Sequence, residues 1–413
     1  MTDVSSRVKE RAQPQSEMHA VALATAASQL KDPQAAVAEL ARTLDLALGS
    51  RERLGGVLFF CSADYPLAAL GQALAATFGE VPVSGCTTAG EITPAGYARG
   101  SITAIGLARS DFALAQVLID DLSGFDLPRA QALSDELLAR CREQAVAPVM
   151  GNSFALTLLD GLSSSEEQVL ATLDAALGSI PAFGGSAGDD NRLSHTYVYA
   201  DGVFHDQAAV VVVVNTRLPF EVISTHHLTP LADKLVVTAV DRDSRRVLEL
   251  NAEPAAEEYA RLAGVAPEAL EEAVFARCPL AVRIGEAHYV RSIQRVNDDA
   301  SLSFYCAVET GIVLTAMQAT PILEQLEQRL AEVEARLGPP ALTIGCDCFL
   351  RRMEIEALAL EDEASRMLRR HRVIGFNTYG EQHHGMHINQ TFTGVVIGQR
   401  RSVADGTGGQ DVA

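Results

Sequence analysis

The chain has 413 residues, 48% of them hydrophobic, and 53 acidic residues against 33 Lys and Arg leave a formal charge of −20. That length suits two or three domains with cores of their own. So acidic a chain excludes duplex nucleic acid and anionic membrane surfaces as partners, since both demand concentrated Lys and Arg. The apolar run Ala209–Val214 falls far short of the ~20 residues of a membrane span. Seven cysteines, with a polar and charged start in place of a secretory leader, fit a reducing cytoplasm.

In chain order, residues 1–19 read as a disordered tail. A strand at Val57–Cys61 and a helix at Pro66–Phe78 follow. The approach Val81-Pro82-Val83 then leads to the turn Thr88-Ala89-Gly90-Glu91 and a strand at Ile102–Ala108. The pattern repeats as Phe154–Leu159, Glu166–Leu177, the turn Ser186-Ala187-Gly188-Asp189, and Ala208–Asn215. Prolines 219 and 230 interrupt the periodicity and mark a junction. Lys234–Leu250 reads as a hairpin, Asn251 as the N-cap of a helix ending near Gly264, and Tyr289–Arg295 with Leu302–Val308 as a second hairpin. Ile322–Leu337 is an amphipathic helix closed by Gly338; a solvated outer face is the simpler reading and a coiled partner contact the other. A third copy closes the pattern with Ala341–Ile344, Glu354–Arg370, the turn Thr378-Tyr379-Gly380-Glu381 and Thr393–Gly398, before a tail at 399–413. The fold class is α+β: repeated strand–helix–strand–strand units forming two packed halves, with helices covering the sheets. The recurring acids Glu91, Asp189 and Glu381 are expected to bond backbone amides in each turn. Six residues beyond them stand Tyr97, His195 and His387.

Three cysteines invite chemistry. Cys346 and Cys348 flank Asp347 at a spacing poor for zinc and suited to a core strand, with a redox role as the outsider. Cys86 beside a glycine-rich turn suggests a nucleophile, although no base can be assigned to it. The glycines 184, 185 and 188 are explained by tight turns better than by a phosphate nest.

The ordered blocks resemble the FIST sensory-domain family. They comprise Ser84-Gly85-Cys86-Thr87-Thr88-Ala89-Gly90-Glu91, then Asp160-Gly161-Leu162 with Phe183 to Asp190, then Val236-Val237-Thr238-Ala239, Pro279-Leu280, Cys346-Asp347-Cys348 with Arg351, and Thr378 to Glu381. The resemblance implies a FIST N-terminal domain over 20–216 and a C-terminal one over 217–398. The ending Met386-His387-Ile388-Asn389-Gln390-Thr391 is similar to the NosP branch, haem-binding nitric oxide sensors without an output domain. It implies haem b, its iron held by His387, and output through a partner sensor histidine kinase or a diguanylate cyclase or phosphodiesterase.

A haem iron is commonly held by an imidazole on a defined backbone. Strand alternation puts His387 and Asn389 on one face and Met386 on the other. Asn389 is read as orienting local backbone, Met386 as a second axial ligand, and Arg351 as a partner for propionates. His195 is the rival metal ligand. The competing reading of His387 is a buried histidine bonded to a carbonyl. His383 and His384 belong to a solvated loop. The alternative function is a haem-free module for a small ligand such as an amino acid; a Cys86-dependent hydrolase comes third. Whether the chain forms a homodimer is left open.

Overall fold

The computed structural model describes residues 21–242 and 244–400. The tail readings for 1–19 and from 401 onward lie outside that range. The first copy comprises β1 (Leu23–Ser28), α1 (Pro33–Leu48), β2 (Leu54–Ser62), α2 (Leu67–Phe78), β3 (Val83–Thr88), a hairpin of β4 (Glu91–Thr93) and β5 (Gly96–Ala98), and β6 (Ile102–Ala108). The second comprises β7 (Phe112–Ile119), α3 (Leu127–Gln144), β8 (Ser153–Leu159), α4 (Glu166–Leu177), β9 (Ala182–Ser186), the hairpin β10 (Val198–Ala200) and β11 (Val203–His205), and β12 (Ala209–Thr216).

The third copy opens with β13 (Phe220–Thr225) and is interrupted by a lobe. The lobe holds β14 (Leu228–Asp241), β15 (Arg246–Leu250), β16 (Glu253–Pro254), α5 (Ala255–Ala263), α6 (Glu272–Arg277), β17 (Leu280–Ile284), β18 (Ala287–Arg291), β19 (Ile293–Val296), β20 (Leu302–Phe304) and β21 (Val313–Ala319). The copy resumes with α7 (Ile322–Leu337), β22 (Pro340–Cys348), α8 (Phe349–Ala357), α9 (Glu361–Arg370), β23 (Val373–Thr378), the hairpin β24 (Glu381–His383) and β25 (Met386–Ile388), and β26 (Phe392–Gly398).

Each copy builds the same four strands side by side: β1-β6-β2-β3, β7-β12-β8-β9 and β13-β26-β22-β23. The last two strands of each set are parallel and joined by helix, as a crossover requires. The hairpins are exchanged. β4–β5 of the first copy pairs with β23 of the third, β24–β25 of the third with β9 of the second, and β10–β11 of the second with β3 of the first. Three six-stranded sheets thus interlock cyclically.

Each sheet turns one face to a shared core in which Phe60 stacks on Phe376 at 4.5 Å, with Phe154, Phe183 and Val212 beside them. The outer faces bury α1 and α2, α3 and α4, or α7 to α9. α1 and α3 start where Asp32 and Asp126 cap the amides of Ala35 and Arg129.

The lobe forms a fourth sheet, β18-β17-β21-β14-β15-β20-β19, packed on α5 and α6. Its exit and return are clasped, because the carbonyl of His227 accepts from the amide of Thr320 at 2.7 Å and its hydroxyl at 2.6 Å. Details differ from the sequence reading. Asn251 does not cap α5; it sits at φ 53°, accepts from the Val236 amide and donates to Glu258. Tyr289 belongs to β18, paired with β17, and β20 pairs with β19. The helix expected over 354–370 is two helices, parted where Ala359 takes φ 54°.

The recurring acids split into two jobs. Glu91, fully buried, accepts from the Thr88 hydroxyl at 2.6 Å and from the amide and hydroxyl of Ser101 at 3.0 and 2.6 Å. Glu381 does the same with Thr378 and the Thr391 amide. Both therefore tie the turn to the residue just before the copy's last strand. Extra residues in the second copy put Val198 at that register, while Asp189 binds the amides of Leu193, Ser194 and His195.

Burial pushes the Glu91 carboxyl up to about 7, against the pull of its Ser101 and Thr88 bonds. Its folded pKa lies above the unfolded one, so its stabilising contribution is present below about 4.5 and is lost as pH rises through 7. Ionisation should cost about 3 kcal/mol. The urea stability of Glu91→Gln relative to wild type should rise by that order between pH 5 and 8; a difference that stays constant over that range would refute the assignment.

Candidate functional site

The lobe meets the core at the first turn of α4, where a buried charge cluster forms. Arg245, at φ 52° in the turn between β14 and β15, donates through Nη2 to Glu166 Oε2 and Glu167 Oε2, both at 3.2 Å, and to the Ser163 carbonyl at 2.9 Å. Its Nη1 donates to the Tyr305 carbonyl at 2.7 Å. Glu167 Oε1 accepts the Ala307 amide at 2.6 Å, and Glu166 accepts from the Ser186 hydroxyl.

His387 enters from β25 of the exchanged hairpin, with Nδ1 at 3.3 Å from both Glu166 Oε2 and Glu167 Oε1. The hairpin is also held to the lobe: Arg291 donates to the His387 carbonyl at 3.1 Å, and the Ser292 amide to Asn389 Oδ1 at 3.4 Å. Four elements that are distant in sequence converge here.

Burial raises the Glu166 carboxyl, with His387 and Arg245 pulling the other way. Burial also acts to raise Glu167, but the hydrogen bond and charge of His387, with Arg245, outweigh it and hold the carboxyl well below the usual range. Desolvation works against the Arg245 cation, and the two carboxylates overcome it. Removing one partner from such a cluster leaves an uncompensated buried charge, at a cost of about 3–5 kcal/mol.

The donor side of a haem site is present and the space is not. His387 Nε2 is buried without a hydrogen-bond partner, and carboxylates brace Nδ1 in the manner that orients a metal-binding imidazole. Yet Nε2 lies over Gly380 so closely that a Cβ there would overlap it. An iron would need the volume that this backbone fills. The surroundings are charged where a porphyrin needs an apolar slot, and the principal clefts among the described residues are lined by other side chains. The residues as folded do not fit haem. Among them, no group of three or more His, Cys, Asp or Glu is arranged to hold a metal ion.

The remaining sequence candidates scatter. Met386 is half-buried and stands opposite His383. Asn389 is fully buried and orients backbone: besides Ser292, it reaches the Tyr379 carbonyl at 3.5 Å. Arg351 is buried in a second network, donating to Asp347 at 2.8 Å and lying 3.0 Å from His227, whose far nitrogen meets Glu354 at 2.9 Å. Tyr97 donates to the same Asp347 at 2.5 Å.

His195 is exposed in the extra segment of the second copy. By hairpin register the partner of Tyr97 and His387 is Phe204: the pairs Ile92–Tyr97, Gln382–His387 and Tyr199–Phe204 are equivalent. Glu166, Glu167 and Arg245 escaped the sequence reading, because two acids opening a helix need no more than its dipole to explain them. Burial pushes the thiols of Cys86, Cys346 and Cys348 well above their ordinary range, which suits core packing and not nucleophilic attack.

The FIST N domain matches residues 56–253 and the FIST C domain residues 255–384. A sensory rather than a catalytic class follows. The chain belongs to the FIST family, since the two domains together take in most of its length. No curated protein matches it. Solved structures similar to it include cyanuric acid hydrolase from A. caulinodans, at 13% identity, covering 48% of this chain and 72% of that one, with a TM-score of 0.27. A score that low bears on neither fold nor function.

Two outcomes test this geometry. Gly380→Ala should displace the imidazole and destabilise the chain by about 1–3 kcal/mol. The double variant with His387→Ala should then fall well short of the sum of the two single costs, as coupled neighbours do; simple additivity in urea unfolding would show that the contact is not there. Of the seven thiols, Cys278 alone is partly exposed, so an aromatic disulfide reagent should titrate one thiol per native chain and all seven after unfolding.

Proposed function

We propose that the chain is a haem-free small-ligand sensory module in which the seating of the lobe on the core reports ligand occupancy. The observation that carries this reading is the buried cluster of Arg245, Glu166, Glu167 and His387 between lobe and core. A buried charge network of this kind is either closed or broken, so a modest bias from a ligand can shift the population between two seatings. The family resemblance supports an amino acid or a similar small metabolite as ligand. It also supports output through a partner, a sensor histidine kinase or a cyclic-di-GMP enzyme. The haem-dependent nitric oxide reading stands second, favoured by the free Nε2 and opposed by the packing of Gly380.

Absorption spectra of protein expressed with haem supply should show no stoichiometric Soret band. A band that shifts with nitric oxide and fades in His387→Ala would reverse the order of the two readings. A calorimetric screen of amino acids and related metabolites, paired with hydrogen exchange, should find a ligand that alters protection of the first turn of α4 in wild type. Arg245→Met should bind that ligand and lose the change in protection; an unaltered exchange response in that variant would sink the coupling role.

A further inference from the structure

The outer face of the lobe sheet carries a second feature. In β14, Leu235 and Val237 are buried against α5, so Lys234 and Val236 point to the opposite face. In β21 the inward residue is Leu314, so alternation places exposed Val313 and buried Thr315 on the opposite face. The registers agree: Val236 opposes Val313, Lys234 opposes Thr315, and Thr315 opposes Ala281 of β17. Two residues further along β17, Arg283 pairs with His288 of β18.

Register is lost between Pro230 and Lys234, and the bowed segment walls a cleft of about 760 Å³. Its lining includes Leu231, Lys234, Arg283, His288, Ile312 and Val313. Among the described residues, that lining holds three basic side chains and no carboxylate, in a chain of net charge −20. Arg283 bonds Glu286 at 3.1 Å, but that glutamate side chain is 97% exposed and the pair is open to solvent. Leu231 and Val313 are 42% and 43% exposed, so hydrocarbon as well as charge is on offer.

We propose that this cleft binds an amphiphilic monoanion, its acid group between Lys234, Arg283 and His288 and its hydrocarbon body on Leu231, Ile312 and Val313. The volume lies within the ~300–1,000 Å³ of small-molecule sites, and the combination of an apolar floor with a few convergent charges is what such ligands need. The inference rests on the small-ligand reading, gives it a place, and puts an amphiphilic acid where that reading has an amino acid. It also supplies a route: His288 lines the cleft and Arg291, three residues on in the same strand, holds the His387 carbonyl. A ligand that repositions β18 would therefore pull on the hairpin at the lobe–core junction.

The test is fluorescence titration of the full chain with 1-anilinonaphthalene-8-sulfonate, followed by displacement. One saturable site per chain is expected, emptied by decanoate and not by equal concentrations of decanol or leucine. Lys234→Glu with Arg283→Glu should weaken the dye and decanoate at least tenfold. Both side chains are exposed, so the far-ultraviolet circular dichroism should stay unchanged and certify the fold. The proposal fails if no saturable site is found, if the double variant binds as wild type does, or if decanol or leucine displaces as well as decanoate. Hydrogen exchange separates the two readings. Decanoate binding without altered protection of α4 would leave the site and remove the coupling; an amino acid that alters protection while decanoate fails to bind would remove the site alone.

Discussion

Hairpin exchange is the constraint on which the rest of this structure depends. Each copy ends its parallel strand pair in a tight turn and then sends its hairpin to a neighbour's sheet, so no copy completes its own sheet edge. An unpaired edge would expose a row of amides and carbonyls. The exchange satisfies them and, because it is cyclic, closes the three sheets around one core. The turns lie close enough for direct bonds, with the Gly188 amide on the Thr87 carbonyl at 3.0 Å and the Ser186 amide on the Gly380 carbonyl at 2.8 Å. A Cβ at Gly188 would press on the Ala89 backbone, which is why this turn carries glycine there.

Exchange also explains how one register position acquires different chemistry. Tyr97 reaches Asp347 in the sheet that receives its hairpin, His387 reaches Glu166 and Glu167, and Phe204 packs on Phe59 and Tyr199. Each side chain is selected by the neighbour it visits and not by the copy it belongs to. The two polar cases flank the lobe. Tyr97 shares Asp347 with Arg351, which leans on His227 at the lobe's exit, and His387 meets the lobe through Arg245. These two buried networks therefore lie where the inserted lobe is held.

Much of the fold was legible in the sequence because its signals are local. The repeated turns, the limits of α4, α7 and β6, and the hairpin of β14 and β15 follow from periodicity and from glycine or proline stops. What was not legible is exchange. A spacing of six residues makes Tyr97, His195 and His387 look alike, yet the extra residues before β10 shift the frame, and only pairing shows that Phe204 takes the place of His195. His387 is buried, as the competing reading of it expected, but its Nδ1 faces two carboxylates and not a backbone carbonyl. Its partners lie 220 and more residues away in sequence, on the first turn of α4, so neither spacing nor motif could name them. Arg351 illustrates the same limit: an arginine beside a strand end looks available to a ligand until the fold buries it on Asp347.

The insertion point of the lobe bears on how a signal would leave it. β13 and α7 both pack on the outer side of the third sheet or pair within it, and the clasp of His227 with Thr320 fixes the two connections side by side. A lobe tethered at one clasp retains few rigid-body freedoms, chiefly rotation about that point. The Arg245 cluster lies at a separate contact, made by the turn after β14 and by the segment around Ala307. Clasp, cluster and the bonds of Arg291 and Ser292 to the hairpin hold the lobe at three places. With the cluster broken, movement about the clasp would shift β18 and, through Arg291, the exchanged hairpin of β24 and β25. Because that hairpin completes the second sheet while belonging to the third copy, displacing it strains two copies at once. A local change in the lobe is thereby carried into the shared core, where close packing favours discrete rearrangement over gradual deformation.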